Sequence, residues 1–127
     1  METNRSSLFN QDEDELLCCV YVEILQDLIG SNNQSLEKFW ERIGTSYDEK
    51  KPDGWEIRSI RSLQNRMNNI TYYVMNLKSC ITQVENTLPS DASQLEIMEK
   101  AKKLFIQDPK LRKGFKFDHI WNLMKNI

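Results

Sequence analysis

The sequence predicts an all-α protein from its composition, its periodicity and its capping residues. Four glycines and three prolines among 127 residues are too few turn-formers for a sandwich of short strands. Apolar residues recur at helical steps of three and four along most of the chain, rather than alternating as on a strand. Asn10, Ser35 and the pair Ser90 and Asp91 stand ahead of periodic stretches, where a side-chain oxygen can accept from the free N–H groups of a first helical turn. The length fits one domain over residues 9–127, preceded by a flexible N-terminus at 1–8.

The first helix is expected to begin near Gln11. Asn10 offers a cap, Glu13 completes a capping box, and the carboxylates of Asp12, Glu13 and Asp14 suit the positive end of the helix dipole. This acidic cluster reads as a solvated first turn. Leu17, Val20, Tyr21, Ile24 and Leu28 form the apolar stripe, which Gly30-Ser31-Asn32-Asn33 breaks. Ser35 caps a second helix with Leu36, Phe39, Trp40, Ile43 and Tyr47 on one face, stopping before Lys51-Pro52-Asp53-Gly54. An aromatic pair such as Phe39 and Trp40 at helical spacing is core.

Ile60, Leu63, Met67, Ile70, Val74, Leu77, Ile81, Val84 and Leu88 then alternate without a break as far as Pro89-Ser90. They predict a third helix of about 30 residues, roughly 45 Å long. Its extra turns need cover, from later helices of the same chain in preference to a second copy. Ser90 or Asp91 caps a fourth helix with Ile97, Met98, Ala101, Leu104 and Phe105 inward and Lys100, Lys102 and Lys103 wet. Phe117, Ile120, Trp121 and Met124 mark a short fifth helix beyond Pro109 and the turn Lys110 to Gly114. Residues 9–88 are thus expected to form a core with a long third helix, and 90–127 an extension of two helices packed on it.

No stretch reaches the roughly 18 uncharged apolar residues of a spanning helix, and the polar Met1-Glu2-Thr3-Asn4 lacks the apolar centre of a secretory signal, so a soluble intracellular protein is expected. Cys18, Cys19 and Cys80 show no C-x-x-C spacing and read as reduced thiols. Charge is split along the chain: 3 Lys/Arg against 11 Asp/Glu in residues 1–49, then 14 against 8 in residues 50–127. A pI near 5.5 therefore leaves room for a basic face.

That face centres on RSIRSLQNRMNNI, Arg58 to Ile70, with three arginines, three asparagines and a glutamine but no carboxylate. With the apolar stripe inward, Arg58, Arg61, Ser62, Asn65, Asn68, Asn69 and Tyr72 point outward, with Arg66 at the edge. Arginine matches the two acceptors of guanine, and asparagine or glutamine the donor and acceptor of adenine. The same residues also suit an ordinary wet face. The order of elements favours nucleic acid: an acidic capped helix, a second helix with Phe-Trp, a Pro-Gly turn and a polar-faced third helix follow the layout of a helix-turn-helix unit.

No enzyme, metal site or cofactor is expected. His119, the sole histidine, sits beside a core tryptophan and reads as structural. Cys80 reads as a small packing residue, and phosphate loops, H-E-x-x-H and clustered metal carboxylates are absent from the sequence. The runs Lys100 to Lys103 and Lys110 to Lys113 suit a nuclear-import signal, a second phosphate patch or plain surface.

Several pieces also carry a family likeness. Phe9-Asn10-Gln11-Asp12-Glu13-Asp14-Glu15-Leu16-Leu17, Ile29-Gly30 with Gln34, Phe39-Trp40-Glu41-Arg42-Ile43, Tyr47, Lys51-Pro52, Arg58-Ser59 and Ser62-Leu63-Gln64-Asn65-Arg66 come in that order. Cys80, Gln83-Val84-Glu85, Pro89-Ser90, Glu99-Lys100-Ala101 and Phe115-Lys116-Phe117-Asp118-His119-Ile120-Trp121 follow. Over nearly its whole length the chain resembles the Myb/SANT-like, trihelix-related proteins associated with Harbinger-type transposons. It departs from that pattern at Met67, where the family usually has Trp, and in lacking a tryptophan late in the first helix.

The resemblance implies a three-helix SANT/Myb-like helix-turn-helix unit in a nuclear DNA-binding accessory protein, which recognises transposon ends and partners a transposase, or in a domesticated relative acting on transcription. On that reading Arg58, Arg61, Asn65, Asn68 and Asn69 meet base edges of double-stranded DNA, and Lys50, Lys51, Arg66 and Lys78 meet phosphates. The alternative is a protein-interaction module of the same fold that has lost DNA binding.

Overall fold

The computed structural model describes residues 8–29 and 35–127. Among them the chain forms five α-helices and no strand: α1 (Gln11–Ile29), α2 (Leu36–Lys50), α3 (Ile60–Glu85), α4 (Gln94–Phe105) and α5 (Asp118–Met124), with a 3-10 turn at Pro109–Leu111. The predicted break at Gly30 to Asn33, Gln34 and the expected flexible start at residues 1–7 lie outside the described residues.

Local chemistry sets the helix starts. At α1, Asn10 Oδ1 accepts from the Glu13 N–H at 2.8 Å and Glu13 Oε1 accepts from the Asn10 N–H at 3.1 Å, the expected capping box. Ser35 accepts from the Lys38 N–H at 3.1 Å, and Ser59 from the Ser62 N–H at 3.0 Å. Between α2 and α3 the chain turns at Pro52, where Gly54 at φ 93° takes the left-handed conformation that a side chain resists.

Two boundaries differ from expectation around Pro89. A proline disfavours the helical conformation for the residue before it. Accordingly α3 stops at Glu85 after 26 residues, and the N–H groups of Thr87 and Leu88 both turn back to the Val84 carbonyl. Leu88 keeps its contact with the core from this turn rather than from a helix. Ser90 and Asp91 are taken up in a turn closed by the Ala92 N–H on the Pro89 carbonyl at 3.1 Å, so neither caps α4; Ser93 does, accepting from the Glu96 N–H at 3.1 Å.

The apolar stripes meet in two adjoining cores. Leu17, Val20, Ile43, Tyr47, Leu63 and Ile70 unite α1, α2 and the first half of α3, and Ile120 and Met124 of α5 close that core. Met67 is fully enclosed within it. Leu77 and Val84 on the second half of α3 meet Ile97, Ala101 and Phe105 of α4. The extra turns of α3 are thus covered by the same chain. Tyr73 joins the two cores, its ring 6.0 Å from that of Phe105 and 5.4 Å from that of Phe117.

Of the two C-terminal helices, α4 lies along α3 while α5 lies mainly on α1. Residues 9–88 therefore do not complete the first core by themselves. Two stripe positions fall outside both cores: Leu36 is 68% exposed and Ile60 40% exposed. Both occupy the first turn of their helices, where the chain has not yet entered the region that the neighbouring helices cover.

Candidate functional site

The first three turns of α3 form one wall of a shallow cleft of about 450 Å³, lined by Ser59, Arg61, Ser62, Asn65, Arg66 and Asn69, with Leu8 and Phe9 opposite. Arg61, Asn65 and Asn69 are spaced one helical turn apart, so they share this edge of the helix. Arg61 and Asn65 are exposed and Asn69 half-buried; Asn68 is exposed but outside the cleft, on the neighbouring edge. No carboxylate occurs on α3 before its final residue, Glu85.

Arg58 is not among the accessible groups. Its side chain is 3% exposed and forms a fork on Glu13, Nε to Oε2 at 2.8 Å and Nη2 to Oε1 at 3.0 Å, while Nη2 also donates to the Leu8 carbonyl at 3.0 Å. Its guanidinium lies 4.0 Å from the centre of the Phe9 ring. Burial works against its charge, but hydrogen bonding to Glu13 and the Glu13 charge outweigh it and hold its pKa above the ordinary arginine value. Arg58 also lies before α3 rather than on it, so its expected role at a base edge is corrected to that of a buried tie between helices.

Arg66 is likewise turned inward. Its Nε donates to Asp14 Oδ1 at 2.8 Å and Nη2 to Oδ2 at 2.9 Å; His119 Nε2 lies 2.9 Å from the same Oδ2. A guanidinium held by two parallel hydrogen bonds to an enclosed carboxylate is a poor phosphate contact. The acidic cluster is corrected with it. Glu13 is 4% exposed and Asp14 1% exposed, so two of the three carboxylates of the supposed wet turn are buried and answered by arginines that follow much later in the chain. His119 takes the structural place expected of it, as the second side chain on Asp14 after Arg66.

The remaining phosphate candidates are engaged away from the cleft. Lys50 pairs with Glu23 at 2.8 Å on the side of α1, and Lys51, mostly buried, is 4.0 Å from Asp48. Lys78 donates to the carbonyl oxygen of Ile127 and stands nine residues past Asn69, about 13 Å along the helix. Lys116, overlooked in the sequence, supplies a cation instead. It is exposed, and its Nζ lies 4.9 Å from the ring centre of Tyr73, one turn beyond Asn69. The signal was present in Phe115-Lys116-Phe117, because two inward aromatic rings in an extended segment turn the residue between them outward.

Thiol chemistry has no place at this site. Cys18 is enclosed in the first core, and burial, reinforced by the Asp14 charge, pushes its pKa up to about 12, so it stays a neutral thiol. Among the described residues no group of His, Cys, Asp and Glu could hold a metal ion, and no helix is long and apolar enough to cross a membrane.

Fold and site together define a class: an all-α domain whose longest helix turns an amide-rich edge carrying Arg61 to solvent. No family model matches the chain, and neither does any curated protein or solved structure.

Proposed function

We propose that the chain is a DNA-binding domain of the three-helix Myb/SANT-like helix-turn-helix kind, with α3 laid against duplex DNA. Arg61, Asn65, Asn68 and Asn69 meet base edges, and Lys116 meets a phosphate. The observation that carries this reading is the outward strip Arg61, Asn65, Asn68, Tyr72, which offers donors at helical spacing on a helix with no carboxylate before Glu85. A phosphate chain brought against it meets hydrogen-bond donors and no repelling charge, and the major groove of duplex DNA admits a helix of this width. Three capped helices sharing one core, the third with its polar side free, support the helix-turn-helix assignment. The family resemblance adds the setting: a nuclear, transposon-derived protein acting with a transposase or a transcription partner.

Selection from random duplex DNA at low salt, run on wild type beside the Arg61→Ala/Asn65→Ala variant, tests the reading. Each lost bidentate contact is worth about 1–3 kcal/mol, so the variant is expected to lose tenfold or more in affinity with its helical content and melting unchanged. Lys116→Ala should lower the salt slope by about one unit. Equal affinity of wild type and the double variant would remove α3 from any DNA interface.

One observation favours the alternative. Two of the three arginines in the RSIRSLQNRMNNI run are held by internal carboxylates, which leaves little positive charge for a polyanion. A protein that shows no DNA affinity even at low salt, yet binds a protein partner, would be an interaction module of the same fold.

A further inference from the structure

The first turns of α2 and α3 leave a recess of about 420 Å³ that the DNA reading does not use. Its apolar surfaces are Leu36, Ile60 and the edge of Trp40, and its rim carries Glu37, Glu41 and Gln64. Leu36 and Ile60 are the two stripe residues that neither core covers. The recess is built rather than loose. Ile60 rests on Gly44, where a Cβ would fall 2.8 Å from Ile60 Cγ1, and Trp40 is wedged between the Tyr21 and Phe39 rings at 6.1 and 5.6 Å.

The charge lining the recess itself is one-sided. Its lining contains two carboxylates, Glu37 and Glu41, and no cation. Glu41 also lines the neighbouring furrow between α1 and α2, where Glu23, Asp27 and Glu49 join it and the carboxylates outnumber the two cations, Lys38 and Arg42. Asp27 pairs with Arg42 at 2.6 Å and Glu23 with Lys50 at 2.8 Å, whereas Glu37, Glu41 and Glu49 have no ion-pair partner among the described residues. An exposed apolar recess continuous with unpaired carboxylates repels a phosphate chain and suits a ligand with an apolar anchor and a cationic flank.

We infer that this recess docks a basic amphipathic helix from a partner protein. An apolar side chain of that helix enters between Leu36 and Ile60, and its lysines or arginines run over Glu41 toward Glu49. Apolar anchors at helical spacing, seated in a groove, are a general mode of peptide recognition, and the opposite charges fix direction and register. The surface is separate from the Arg61 edge and stands whether or not α3 binds DNA.

The test uses the full chain, isotope-labelled for NMR, and a synthetic helical peptide with leucines on one face and lysines on both flanks. A second peptide replaces every lysine by glutamate. Binding of the lysine peptide should shift the amides of Leu36, Glu41, Ile60 and Gln64, and the glutamate peptide should leave them in place. Leu36→Ser, at a site too exposed to threaten folding, should weaken binding about tenfold, and Glu41→Lys about threefold with the difference vanishing at high salt. Arg61→Ala should bind the peptide as wild type does. Equal binding of both peptides, shifts confined to other surfaces, or a concentration-dependent dimer abolished by Leu36→Ser would each overturn the inference, the last by making the occupant a second copy of this chain.

Discussion

Asp14→Asn tests the central electrostatic claim, that Arg66 belongs to the interior. The Asp14 carboxylate is 1% exposed and is approached by three nitrogens within 2.9 Å, two from Arg66 and one from His119. Removing one partner of a buried pair costs about 3–5 kcal/mol, because the other charge is left in a poor solvent. Arg66 is 22% exposed and recovers some hydration, which lowers the expected loss to about 3 kcal/mol. Arg66→Met should cost a similar amount by stranding Asp14, and the double variant should cost clearly less than the sum, with a coupling of about 2 kcal/mol. Urea unfolding followed by far-UV circular dichroism measures all three. Losses below about 1 kcal/mol, or effects that add within about 0.5 kcal/mol, would refute the pairing. The folded Arg66→Met protein should also bind duplex DNA as wild type does; a loss of affinity would return Arg66 to the phosphates.

Two further outcomes follow from the geometry. Burial raises the Cys18 pKa from 9.0 to about 12, so the native state keeps the proton that the unfolded chain releases; stability present in full below pH 9 should fall by about 1.4 kcal/mol per pH unit above it and be lost as pH passes the native pKa. Cys18→Ala should flatten that slope in urea titrations, with the residual slope coming from Cys80, Tyr21 and Tyr47, whose pKa values burial also raises. Ser93→Ala should lower stability by about 1 kcal/mol while Ser90→Ala and Asp91→Ala each stay within about 0.5 kcal/mol, because only Ser93 accepts from the first turn of α4.

What the sequence made legible was local. The Asn10 and Glu13 capping box lies within four residues, and the stripe from Leu63 to Leu77 is a strict repeat, so α1 began where expected and α3 faced as expected. The missed α4 cap was local too, but it depended on a proline turn drawing Ser90 and Asp91 out of reach. The errors at the site came from distance along the chain. Arg58 meets Glu13 across 45 residues, Arg66 meets Asp14 across 52, and His119 meets Asp14 across 105. Periodicity assigns a side chain to a face, but it does not say which distant group stands opposite. The lopsided charge of the two halves was a hint: an acidic N-terminal stretch and a basic remainder answer each other as readily as they answer an outside partner.

Those long-range pairs bear directly on what α3 presents. An apolar stripe of Leu63, Met67, Ile70 and Val74 tolerates small rotations about the helix axis, because leucine, isoleucine and methionine contacts are not directional. A guanidinium fork on a carboxylate is directional. Arg58 and Arg66 stand just before α3 and on its second turn, and each is tied to a different carboxylate on the first turn of α1. Two such ties fix the rotation of α3, and Asp14 extends the constraint to α5 through His119. Glu13, whose Oε1 also closes the capping box of α1, makes the start of that helix and the position of Arg58 interdependent. The arginines that do not reach solvent thereby set which residues do. With Arg58 and Arg66 turned inward, Arg61, Asn65 and Asn68 are left on the outer edges of the helix, so the same run of sequence supplies both the anchor and the exposed surface.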